Sequence, residues 1–82
     1  MDPVYTQHAL ARMEKRQIKQ EWVGRVLRNP ESIQADGIDP TLQHRLGKVP
    51  ELANRVLRVI VSLDQPMRII TVYIDRTMKG RL

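Results

Sequence analysis

The chain has 82 residues, 41% hydrophobic with three aromatics (Tyr5, Trp22 and Tyr73), enough for one domain over residues 1–82 with a thin aliphatic core. It has no cysteine, no run near the ~20 apolar residues of a membrane span, and no basic-then-apolar leader after Met1, which excludes thiol chemistry and predicts a cytoplasmic protein away from membranes. Its net charge is +5, and ten of its fourteen cationic side chains are Arg, whose planar fork suits phosphate, so the expected partner is nucleic acid or another polyanion.

Residues Met1 to Val4 read as a short lead with edge-strand character. Thr6 is placed to cap a helix over Gln7 to Arg16, with Tyr5 before it able to pack on Leu10 as a staple. At about 100° per residue, His8, Arg12 and Arg16 form one drifting stripe with Lys15 beside it. Leu10 and Met13 face the other way as the core side, and Ala9 sits at the margin. Like charges four apart weaken an isolated helix, which an anion would offset. The helix N-terminus and Arg12 both disfavour an imidazolium, so His8 is expected to be neutral at pH 7 and able to take a proton. The plainer reading of His8 is a packing or capping residue.

Gln17 stands where a helix-ending Gly is common. A second helix follows over Glu21 to Arg28, with Trp22 and Val26 on one apolar line and Val23 and Leu27 on another, stopped by Asn29-Pro30. Trp22 reads as a core anchor. Ser32 to Ala35 is a weak strand and Gln43 to Val49 a second, while Pro50 to Asn54 is a connection. His44 reads as a surface residue, with a role in orienting or proton donation as its sharper alternative.

The strongest β signal is Val56 to Leu63 followed by Met67 to Ile74 around Asp64-Gln65-Pro66, a hairpin. Pairing Leu63 with Arg68 aligns Val61 with Ile70, Val59 with Val72 and Leu57 with Ile74 on one apolar face. The other face then carries Arg58, Thr71 and Tyr73. The predicted fold is α+β, with two N-terminal helices on one face of a three- to four-stranded antiparallel twisted sheet.

Four stretches, HALARMEKRQI at His8 to Ile18, NPE at Asn29 to Glu31, LRVIV at Leu57 to Val61 and RIITVY at Arg68 to Tyr73, resemble a small prokaryotic domain family of unknown function, number 4258. That family is similar to the RelE/ParE-like toxins and to the barnase and colicin ribonuclease group. The resemblance implies a RelE-like fold, an RNA-cleaving toxin role and a partner antitoxin protein. By position, His8, Arg12 and Arg16 match its helical motif, and Thr71 and Tyr73 its last strand.

Metal-independent RNA cleavage needs a base, phosphate-binding cations and an acid. The expected catalytic set is His8 as base with Arg12, Tyr73 and Thr71, and the expected nucleic-acid contacts are Arg16, Lys15, Arg58 and Arg45. No cofactor and no metal are expected, since two histidines lack a clustered carboxylate. Two other readings stay open: a non-catalytic module that binds RNA, DNA or an acidic protein, and a homodimer paired through an edge strand.

Overall fold

The computed structural model describes residues 2–82, so Met1 of the expected lead lies outside it. Along the chain come β1 (Val4–Tyr5), α1 (Gln7–Arg16), α2 (Gln20–Arg28), β2 (Ser32–Ala35), β3 (Leu42–Val49), β4 (Arg55–Ser62) and β5 (Arg68–Asp75). Short 3₁₀ turns follow β3 at Pro50–Leu52 and β5 at Arg76–Met78. Among the described residues, no helix is long and apolar enough to cross a membrane.

The five strands form one sheet in the order β1-β5-β4-β3-β2, antiparallel except that β1 runs parallel to β5. The α+β class and the two helices agree with the sequence, but the sheet is larger and mixed. The fifth strand, β1, lies at the end of the lead that has edge-strand character, and its two residues are too few to show a period of two. It exists because the Val4 amide donates to the Met67 carbonyl at 2.8 Å and the Thr6 amide to the Ile69 carbonyl at 3.2 Å.

Both helices pack on one face, α1 against β5 and α2 against β3 and β4. Ala9, Met13, Trp22, Val23 and Val26 meet Leu57, Val59, Val61, Ile69 and Val72 in a single core. Gly47 of β3 lets α2 approach closely: a Cβ there would stand 3.1 Å from the Val26 Cγ2.

The α1 face differs from the expected one. Ala9 is fully buried, whereas Leu10 is 43% exposed. Taking Ala9 as the centre, Arg12 lies about 60° and His8 about 100° to one side, and Leu10 about 100° to the other. A small residue at the contact lets α1 lie close to β5, and this rotates Leu10 to the outside.

The β4–β5 register matches from Leu57↔Ile74 to Ile60↔Thr71, then slips by one to Val61↔Ile69 and Ser62↔Arg68. Ile70 is the extra residue of a bulge between Ile60 and Val61. Ile69 therefore faces the helices in place of Ile70, and a bulge adds local twist at this point.

Candidate functional site

Thr6 fastens the start of α1 to the bulge. Its hydroxyl accepts from the Ala9 amide at 3.1 Å and lies 2.8 Å from the Ile69 carbonyl and 3.2 Å from that of Ile70. The expected N-cap is thus also a cross-link to β5. Because β1 pairs only with Arg68 and Ile69, β5 has no strand beside it further along. His8, on the first turn of α1, reaches past this open edge, and its Nε2 lies 3.2 Å from the Thr71 Oγ1. The hydroxyl can either donate or accept here, and Nδ1 is left for another partner.

Beyond this edge, between α1 and the end of the sheet, lies an open cleft of about 750 Å³ that His8 and Thr71 do not themselves line. Arg12, Lys15, Arg16 and Gln17 line it from the helix, Tyr73 and Ile74 from β5, Arg55 from β4 and Arg76 from the C-terminal turn. Gln17 ends α1 in the left-handed region at φ 56°, and its amide donates to the Glu14 carbonyl, which frees the chain to turn towards Ile18. Among the described residues, the cleft carries five cationic side chains and no carboxylate. Among the described residues none of the five is in an ion pair. Lys15 and Arg16 gain something from the negative end of α1, but Arg12, Arg55 and Arg76 have no such local compensation.

A family described as a domain of unknown function, DUF4258, has a model that matches residues 5–74. The chain belongs to this family. No curated protein and no solved structure matches it. The DUF4258 match takes in His8, Arg12, Thr71 and Tyr73 and stops before Asp75 and Arg76.

On the face away from the helices, this DUF4258 domain holds a second polar group, beside Tyr73 in the sheet. Asp75 accepts from the Arg58 Nε at 2.9 Å and lies 2.7 Å from its Nη2, with the two side chains 10% and 11% exposed. The Arg58 Nη1 donates to the Gln34 Oε1 at 3.1 Å and to the His44 Nδ1 at 2.8 Å. A guanidinium can only donate, so His44 accepts at Nδ1 and carries its proton on Nε2, 2.7 Å from the Asp36 Oδ1. His44 is therefore a strand residue within a network, not a free surface imidazole. The amides of Asp39 and Ile38, together with His44, hold the Asp36 carboxyl at about 2 against an ordinary 3.8. Thr77 first, then Arg58, lowers the Asp75 carboxyl.

The expected site residues thus fall into three places. Arg12, Lys15, Arg16 and Tyr73 line the cleft between α1 and the end of the sheet, whereas His8 and Thr71 meet each other at the β5 edge and are not part of that lining. Arg58 lies beside Tyr73, but its charge is met by Asp75 and four of its donor contacts are taken within the network. Arg45 is on the helix side, where its Nη1 donates to the Leu27 carbonyl at 3.1 Å and its Nε to the Gln43 Oε1 at 2.9 Å. That carbonyl belongs to the last turn of α2, so Arg45 completes a helix end. Arg55 and Arg76 are not among the expected contacts, since one opens β4 and the other falls in the short turn after β5, outside any period. Among the described residues no three His, Asp or Glu converge as metal ligands would.

Proposed function

We propose that this domain binds the phosphate backbone of RNA in the cleft between α1 and β5 and cleaves it without a metal ion, in the manner of RelE/ParE-like toxins. The observation that carries this reading is a cleft whose charged lining is, among the described residues, wholly cationic and unpaired, with an exposed imidazole one helical turn before its Arg12. His8 takes the proton of a 2′-hydroxyl, and the 2′-oxygen attacks the adjacent phosphorus. Arg12 and Arg16 hold the charge that develops on the phosphate oxygens. The bond to the 5′-oxygen breaks, Tyr73 supplies the proton to that oxygen, and a 2′,3′-cyclic phosphate remains. Proton exchange with water then restores both side chains. Thr71 orients the His8 ring.

A second reading, RNA binding without turnover, is favoured by one detail: among the described residues the polar partner of the His8 ring is a hydroxyl and not a carboxylate. The two readings part in one experiment. Wild-type protein and His8→Ala are incubated in EDTA with single-stranded and structured RNA, with and without translating ribosomes, and the cut ends are mapped. The enzyme reading expects cyclic phosphate and 5′-hydroxyl ends from the wild type and a loss of at least about 100-fold in rate in His8→Ala. Salt-sensitive binding by both proteins without new ends would establish the binding module instead.

A further inference from the structure

Two cations of the cleft come from the end of the sheet. The last β4–β5 pair is Val56↔Asp75, so the next residues outward are Arg55 and Arg76, at the same end of adjacent strands. Like charges so placed repel, and neither has a carboxylate partner among the described residues. Asp75 adjoins Arg76 in sequence but does not neutralise it. Its Oδ2 is held by Arg58, while its Oδ1 accepts from the Thr77 amide at 3.1 Å and lies 2.6 Å from the Thr77 Oγ1. The carboxylate is spent on tying the Arg76–Met78 turn to the sheet. Tyr73 lines the same cleft as both groups of cations.

We infer that Arg55 and Arg76 form a second phosphate-binding wall of the cleft, with Asp75 as the positioning residue that fixes it. A single-stranded nucleic-acid backbone passes between this wall and Arg12 and Arg16 on α1. One base lies on Tyr73, whose ring can stack on any base, so recognition is of a strand and not of a sequence. The inference rests on the reading that the cleft binds RNA, but not on its cleaving it.

The test uses the full chain and a short labelled 2′-O-methyl oligoribonucleotide, which has no free 2′-hydroxyl to attack, so binding is read apart from cleavage. Anisotropy titrations across a range of salt give affinity and its salt dependence. Arg55→Ala and Arg76→Ala should each weaken binding several-fold and reduce the slope of log affinity against log salt by about 0.7. Arg81→Ala, outside the cleft, should bind as the wild type does. Thr77→Val removes one bond to Asp75 and leaves the Arg58 pair in place. It should weaken binding in the wild-type background and have no further effect beside Arg76→Ala. An equal effect in both backgrounds would overturn the positioning role. Wild-type binding by Arg55→Ala and Arg76→Ala, with Arg12→Ala weakened, would overturn the second wall and leave the RNA reading intact. A wild-type protein that does not bind the oligonucleotide would remove both.

Discussion

Arg58 shows how a charged side chain can be placed correctly by strand parity and still have its role changed by its neighbours. Alternation along β4 puts it on the face away from the helices, beside Tyr73, which suits a phosphate clamp. Its contacts with Asp75, Gln34 and His44 make it an organiser of that face instead. Arg58→Leu would leave the buried Asp75 carboxylate without its cation, at a cost of about 2–4 kcal/mol in a denaturant titration. Arg12→Leu, by comparison, removes an unpaired charge and should change stability by less than about 0.5 kcal/mol. The pairing was not readable beforehand, because Asp75 is seventeen residues from Arg58 and Asp36 eight from His44, and no local spacing rule links them.

At the scale of elements, the boundaries were largely readable and the rotation of α1 was not. Both helices, β2 and most of the hairpin register follow from caps, periods and parity. The helix phase failed because weighting by hydrophobicity favours Leu10 over Ala9, whereas close packing on β5 favours the smaller residue. Two substitutions separate these phases. Leu10→Gln should shift the denaturation midpoint by no more than about 0.5 kcal/mol equivalent, and Met13→Ala should cost about 2–4 kcal/mol. The bulge at Ile70 escaped for a different reason: Ile69-Ile70 gives two adjacent β-branched residues, and either can face a core. The slip matters to the site, since Ile69 and Ile70, at the bulge, carry the two carbonyls that the Thr6 hydroxyl meets.

Across the whole molecule, stability should fall in acid through a few carboxylates. Arg25, 2.6 Å away, is the main cause that holds the Glu51 carboxyl at about 2 against an ordinary 4.5, and Asp36 is held at about 2 by its amide and His44 bonds. Folded values below unfolded ones mean that these groups stabilise the fold at neutral pH and stop doing so as pH falls through the folded value. The melting temperature should therefore change little, as far as these groups are concerned, from pH 7 to about 5. It should decline from about pH 4 towards 2, with a shallower decline in Asp36→Asn. The Glu51 contribution is exposed and should shrink in high salt; the Asp36 contribution, made partly by backbone amides, should persist.

The two-residue strand β1 has a consequence for motion. Thr6 and Ile69 are 63 residues apart in sequence, and their bonds, with the short parallel pairing, tie the N-terminal edge to β5. Such an edge has few backbone bonds to break, so it should open far more often than the β3–β4–β5 centre while the rest of the sheet stays closed. Amide exchange at Thr6 should then be faster than at Val59 by several orders of magnitude. Each opening would loosen the anchor of α1 beside the His8–Thr71 contact but leave the network around Arg58 assembled, so that contact and the integrity of the fold would be lost at different rates.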